Sequence, residues 1–159
     1  MNTREYNKVV NELGDSLYAF ALQFTGYRHL ALDAVQDSFV VLWNHVEQIP
    51  YDNARKYLFR VLRNKLIDIY RYQKHRQAFS NSPPQELSLP TEQYDLHDSL
   101  HIALLQLPDL QRSLVILKEV EGFSCKEIAE MMDLSDQQVM TYLYRAKVKL
   151  RKQLEYIIK

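Results

Sequence analysis

The chain has 159 residues, with 20 basic and 20 acidic side chains and a formal charge of zero, so no global field attracts nucleic acid. This length allows one ordinary domain or two small ones. A single cysteine excludes an internal disulfide. No segment approaches the ~20 apolar residues of a membrane span, and none shows a signal-peptide pattern. We therefore expect a cytoplasmic protein without membrane insertion.

Two amphipathic helices are predicted in the first 45 residues. From about Glu5 to Tyr27 apolar residues recur at helical spacing, and Gly26 is a suitable C-cap. A second helix should run from about His29 to His45. It is expected to bury Leu32, Val35, Phe39, Leu42 and Trp43.

A third helix has one strongly basic face. It follows a loop at Pro50, with Asn53 as N-cap, and should end near Gln77. Residues 55–76 contain eight cations and a single acid, Asp68. The face opposite the apolar stripe carries Lys56, Arg60, Arg63, Asn64, Arg71 and Lys74. Cations beside aromatic residues suit phosphate contact with base stacking, and a solvated helix face is the alternative.

The rest of the chain predicts a linker and a second helical unit. Residues 79–98 are rich in proline and serine, acidic, and free of Lys and Arg, which indicates a flexible linker. Beyond it, Leu100, Leu104 and Leu107 form an apolar stripe that stops before Pro108. A further helix should follow over residues 109–121. The predicted fold class is therefore all-α, with two small helical domains at 1–78 and 99–159.

Residues 122–147 predict a helix-turn-helix. Ser124 with Glu127, and Ser135 with Gln138, are capping boxes that begin two successive helices. Between them Asp133 lies in a corner that often needs the left-handed conformation, which Asp tolerates. The second helix of such a motif commonly enters the DNA major groove. An ordinary corner between two helices of a bundle is the alternative.

Patterns typical of enzymes are weak. Asp33, Gln36 and Asp37 form a compact polar cluster without a nucleophile or third ligand, which favours a protein contact or a solvated face over catalysis. His97 and His101 have metal-ligand spacing, but only Asp98 accompanies them. No phosphate loop, catalytic triad order or dinucleotide motif is present. We therefore predict neither an enzyme nor a cofactor or metal.

Two sets of residues together resemble a bacterial RNA polymerase sigma factor of the extracytoplasmic-function group. Members of this group belong to the sigma-70 family and contain only its regions 2 and 4. The region 4 pattern is carried by residues 107–112, 121–124 and 127–130, and by Ser135, Val139, Arg145 and Ala146. Residues 34–43 resemble the polymerase-binding helix of region 2. Asn64, Asp68 and Arg71 fall in the helix that reads the promoter −10 element.

The resemblance implies partners and site residues. Region 2 would bind the clamp helices of core RNA polymerase through Asp33, Gln36 and Asp37, and region 4 would bind the flap. The −10 contacts would be Asn53, Lys56, Tyr57, Arg60, Arg63, Asn64 and Arg71. The −35 contacts would be Ser135, Gln137, Gln138, Thr141, Tyr142, Arg145 and Lys149. An anti-sigma factor commonly holds such proteins inactive.

Two alternatives remain open at this point. The recognition helix departs from the family pattern, because Gln138-Val139-Met140-Thr141-Tyr142 replaces a run that usually contains two cations. A helix-turn-helix regulator that binds operators by itself is one alternative. A sigma-like interaction protein that has lost DNA binding is the other, supported only by the cation-poor recognition helix.

Overall fold

The computed structural model describes residues 1–79 and 96–158, and every regular element in these stretches is helical. The chain divides into two compact units between residues 88 and 89. The all-α fold class and the two-domain organisation are therefore confirmed. Most of the predicted linker lies outside the described residues. Helical backbone occupies both ends of its predicted range, at Phe79 and at residues 96–98.

The N-terminal unit is a bundle of three helices in which each contacts the other two. These are α1 (Thr3–Thr25), α2 (Arg28–Asn44) and α3 (Ala54–Phe79), with a 3₁₀ turn at Tyr51–Asn53 before α3. Fully buried side chains fill its centre, among them Leu17, Phe20, Phe24, Leu42, Leu58, Phe59, Leu62 and Leu66. Gly26 ends α1 in the left-handed conformation at φ 78°, as predicted.

Of the five residues predicted to be buried on α2, Val35 and Leu42 are buried, Phe39 is half-buried, and two are exposed. Leu32 is 49% exposed and Trp43 is 46% exposed. The buried residues of α2 are Leu30, Ala31, Ala34, Val35, Ser38 and Leu42. Three of these six are small, so the side of α2 that packs into the bundle is not the side with the largest apolar residues. Hydrophobicity alone did not predict this arrangement.

The C-terminal unit contains α4 (Leu96–Leu105), α5 (Asp109–Val115), α6 (Cys125–Met132) and α7 (Asp136–Ile158). The long α7 packs against the other three helices. The single helix predicted over 109–121 is divided, since α5 continues as a π-helical turn at Ile116–Val120. Leu104 and Leu107 are buried as predicted, whereas Leu100 is partly exposed, contrary to the prediction.

A buried arginine joins α4 to α5. Arg112 is only 1% exposed, and its Nε donates a hydrogen bond to the carbonyl of Leu104 at 3.0 Å. One terminal nitrogen donates to the carbonyls of Leu107 at 3.0 Å and Leu105 at 3.5 Å, and lies 3.8 Å from Asp109. The last carbonyls of a helix have no intrahelical partner. Arg112 therefore satisfies the end of α4.

Candidate nucleic-acid and protein interfaces

The outward side of α2 combines acidic and apolar residues. Asp33, Gln36 and Asp37 are all exposed there, which places the predicted contact residues together. Three apolar residues share this side with them: Leu32, Val40 and Trp43. We call these six residues the α2 face. Exposed apolar side chains clustered beside charged ones are typical of a protein-binding surface. Sequence reasoning missed the apolar half because it assigned Leu32 and Trp43 to the core.

Trp43 is held in place by a neighbour on α1. The Tyr6 ring meets the Trp43 ring edge-on, with centroids 5.0 Å apart. The Tyr6 hydroxyl donates to the carbonyl of Phe39 at 2.9 Å. Partial burial raises the pKa of Tyr6 above its ordinary value. Tyr6 therefore fixes the position of the half-exposed indole of Trp43 on the surface.

The turn before α3 is tied to α1. The Tyr51 hydroxyl donates to the Glu12 carboxylate at 3.2 Å, and the Lys8 ammonium lies 5.4 Å from the Tyr51 ring centroid. Lys8 and Glu12 also form an ion pair at 3.8 Å. The hydrogen bond with Tyr51 is the main cause of the raised pKa of Lys8. Asn53, a predicted −10 contact, is exposed on this anchored turn.

The predicted −10 residues of α3 lie on one side of the helix, because their spacing follows the 3.6-residue turn. Arg60, Asn64 and Arg71 are exposed on this side, whereas Lys56, Tyr57 and Arg63 are half-buried. Arg63 donates to the side-chain carbonyl of Asn64 at 3.2 Å, so these two side chains are oriented together. The Lys74 side chain lies outside the described residues. The arrangement offers cations and one amide to a nucleic-acid strand.

The helix-turn-helix prediction is confirmed in its local details. The backbone N–H of Glu127 donates to the Ser124 hydroxyl at 3.1 Å, and that of Ser124 donates to the Glu127 carboxylate at 3.2 Å. The second box is equally complete. The backbone N–H of Gln138 donates to the Ser135 hydroxyl at 3.0 Å, and the backbone N–H of Ser135 donates to the side-chain carbonyl of Gln138 at 2.9 Å. Asp133 adopts the left-handed conformation at φ 53° and ψ 46°.

The second capping box changes the interpretation of two predicted −35 contacts. Reading adenine bidentately requires a carboxamide that accepts one hydrogen bond and donates another. The side-chain carbonyl of Gln138 already accepts a hydrogen bond from the backbone N–H of Ser135. The Ser135 hydroxyl accepts one from the backbone N–H of Gln138. Both side chains therefore stabilise the start of α7. Gln137, which is exposed one residue earlier, is the better-placed glutamine for a base contact.

The remaining −35 candidates lie on the solvent side of α7. Val139, Leu143, Ala146 and Leu150 face the core. Thr141, Arg145 and Lys149 are exposed, and Tyr142 is half-buried with the Arg145 guanidinium 6.0 Å from its ring centroid. Met140 and Tyr144 are also exposed, at 62% and 71%. Sequence reasoning did not include these two, although both fall outside the buried stripe.

Neither a metal-binding cluster nor a membrane-spanning helix is found in the parts of the chain that the structure describes. Within residues 1–79 and 96–158, no group of three or more His, Cys, Asp or Glu side chains is placed to hold a metal ion. The side chain of His97 lies outside the described residues, and His101 is buried. None of the described helices is long and apolar enough to cross a bilayer.

Comparison with known proteins decides the family. The model of Sigma-70 region 2 matches residues 9–76, and that of Sigma-70, region 4 matches residues 97–150. The ECF RNA polymerase sigma factor SigL of Mycobacterium tuberculosis is 32% identical over 146 residues, 87% of this chain and 82% of that protein. The chain belongs to the extracytoplasmic-function sigma factors. It is thus a transcription regulator that acts with core RNA polymerase at promoters.

Two further relatives agree with this assignment. The ECF RNA polymerase sigma factor SigM of Bacillus subtilis is 28% identical over 144 residues, 86% of this chain and 87% of that protein. The structure of the sigma factor RpoE in complex with the anti-sigma factor NepR from Bartonella quintana matches with a TM-score of 0.82, covering 96% of this chain and 98% of RpoE. At 21% identity, that match shows the sigma-factor fold alone.

Proposed function

We propose that this sigma factor binds core RNA polymerase through the α2 face and recognises promoters through α3 and α7. The observation that carries the proposal is the α2 face itself, an exposed apolar and acidic surface on the helix that resembles the polymerase-binding helix of region 2. A regulator that binds operators by itself would need neither this surface nor a second helical unit.

The chemistry of the α2 face suggests how it would bind the polymerase clamp. Leu32, Val40 and Trp43 would be covered by apolar side chains of a partner helix, and burial of aromatic anchors usually dominates such interfaces. Asp33 and Asp37 would meet basic residues at the rim, where charge mainly sets association rate and orientation.

A charge reversal tests this docking. Asp37→Lys should weaken polymerase binding while changing stability by only about 0.5 kcal/mol, because Asp37 is exposed. Glu47→Lys, an equally exposed reversal in the same unit, is the matched control. Equal co-elution of both variants with core polymerase would contradict the assignment of the α2 face.

The α3 side supports capture of the −10 strand by two different kinds of contact. Arg60 and Arg63 would neutralise phosphates, so alanine at either should lower affinity with little regard to sequence and reduce the salt slope by about 1. Asn53 and Asn64 would contact unpaired bases, and their loss should cost about 1–3 kcal/mol per base. Lys56, Tyr57 and Arg71 would extend this surface along the strand. Permanganate footprinting and salt titration of the holoenzyme separate the two effects.

Region 4 should bind the −35 element weakly when polymerase is absent. The first two turns of α7 carry no Lys or Arg, and the first cation is Arg145. Counterion release therefore contributes little near the bases. We propose that Gln137 reads adenine, that Arg145 and Lys149 bind phosphates, and that tethering to polymerase raises the local concentration of the helix.

Regulation and location are proposed from the family. The RpoE structure contains an anti-sigma factor, NepR. We propose that this chain is likewise held by an anti-sigma factor, that it acts in the cytoplasm where polymerase is found, and that it performs its role without a cofactor or catalytic chemistry of its own.

Reconstitution tests the proposal as a whole. The full chain is combined with core polymerase, and run-off transcription is measured on fragmented genomic DNA. A defined set of start sites that requires both components is the expected result. Tight, specific DNA binding by the chain alone, without polymerase-dependent transcripts, would instead identify an operator-binding regulator. Polymerase binding without promoter selection would identify an interaction protein.

A further inference from the structure

The centre of the outward side of α7 is apolar. Gln137, Met140, Thr141 and Tyr144 lie opposite the buried stripe, since their intervals of three, four and seven residues return to the same side of a helix. Met140 and Tyr144 are the large apolar residues exposed on this side, at 62% and 71%. These are the positions from which the second helix of a helix-turn-helix reaches base edges.

Met140 cannot donate a hydrogen bond to a phosphate, whereas Tyr144 combines a hydroxyl that can do so with an aromatic ring that cannot. A thioether has no donor and accepts hydrogen bonds only weakly, and the tyrosine ring presents a large apolar body. In the major groove the one apolar group on a base edge is the 5-methyl of thymine. Met is flexible and polarisable enough to pack against it, and the Tyr144 ring offers a flat face for the same contact.

The surroundings of the two residues favour DNA over a protein as the occupant. Three exposed cations follow them along one edge of the helix, where they could reach DNA phosphates: Arg145, Lys149 and Lys152. On another side of α7, the Lys147 ammonium forms an ion pair with the Glu119 carboxylate at 2.8 Å. The apolar residues therefore lie on the same helix as polar side chains that can contact bases and cations that can bind phosphates. A surface that reads bases combines these three kinds of side chain.

We infer that Met140 and Tyr144 recognise thymine methyl groups in the −35 element. The inference rests on the proposed function and deepens it, because it names the group on the DNA that this recognition helix selects. Specificity at these positions depends on apolar contact, so it changes little with salt. Burial of one methyl group corresponds to about a fourfold change in affinity.

Replacing thymine with deoxyuridine tests the inference, because the substitution removes only the 5-methyl group. Holoenzyme made from the full chain is bound to a promoter recovered by run-off transcription, with deoxyuridine placed at one −35 thymine at a time. For the wild type, affinity should fall about fourfold at one or two positions. Met140→Ala and Tyr144→Ala should each lose the sensitivity at one of them, and Met140→Leu should retain it.

Val120→Ala is the matched control, since Val120 is an exposed apolar residue of the same unit that lies outside α7. It should keep the full deoxyuridine pattern. A wild type that is insensitive to deoxyuridine throughout the −35 element, or alanine variants that keep the wild-type pattern, would overturn the inference while leaving promoter-specific initiation intact. If no promoter is recovered with the holoenzyme, the proposed function fails first and the inference fails with it.

Discussion

Replacing Arg112 should destabilise the C-terminal unit far more than an ordinary arginine substitution. Arg112→Met keeps much of the buried stem but removes the guanidinium. Two hydrogen bonds of 3.0 Å to the carbonyls of Leu104 and Leu107 are lost, and the end of α4 is left without these donors. Hydrogen bonds from charged groups are worth about 1.5–3 kcal/mol each, so we expect a loss of about 3–5 kcal/mol.

The assay is native-state hydrogen exchange of the full chain, which measures the two units separately. Amides of α4, α5 and α7 should lose protection in Arg112→Met, while those of α1 to α3 should not change. Arg151→Met, the same chemical change at an exposed position of α7, is the control. Arg112→Lys should recover only part of the stability, because an ammonium cannot reproduce the planar fork of donors. A loss below about 1 kcal/mol for Arg112→Met would refute the structural role described above.

Three further predictions concern local features. Asp133→Val should lower stability by about 1–2 kcal/mol in urea titrations while Asp133→Gly changes it by less, because φ 53° suits glycine and not a branched side chain; equal losses would count against this. The Lys147 hydrogen bond lowers the pKa of Glu119, so its stabilisation is complete above the ordinary value of 4.5 and lost as pH falls through the folded-state pKa. Both side chains are half exposed, so the loss of unfolding free energy should be under about 1 kcal/mol, and it should be absent in Lys147→Met. Urea midpoints at mildly and strongly acidic pH measure this loss in both proteins. Tyr6→Phe should make the fluorescence of Trp43, the single tryptophan, easier to quench. Because burial raises the Tyr6 pKa, the wild type should lose stability as pH rises above the ordinary value of 10.0, and a Tyr6→Phe variant with the same alkaline loss would contradict that cause.

The features that sequence predicted well are governed by local chemistry. Both capping boxes and the corner at Asp133 depend on side chains within a few residues of one another, and the structure contains all of them. The buried stripe of α7 was also predictable, because Val139, Leu143 and Leu150 repeat at helical spacing. Local signals of this kind are sufficient to identify a helix-turn-helix from the amino-acid sequence.

The features that sequence missed depend on contacts between elements. The buried side of α2 includes Ala31, Ala34 and Ser38, which a hydrophobicity pattern does not identify as core residues. The π-helical turn at Ile116–Val120 has no local signature. Arg112 would ordinarily be assigned to the surface, and its burial depends on carbonyls at the end of a different helix. The same limitation hid the apolar half of the α2 face.

The capping box at the start of α7 has a consequence for how promoter preference could change over time. Ser135 and Gln138 hold the beginning of the helix, while Gln137, Met140, Thr141 and Tyr144 project away from it. If the projecting side chains read bases as proposed, folding and readout depend on different side chains within the first three turns of α7. Mutations at the projecting positions would then alter which sequence is preferred without removing the capping hydrogen bonds. A lineage of such proteins could therefore acquire new promoters through single substitutions, with no intermediate that fails to fold.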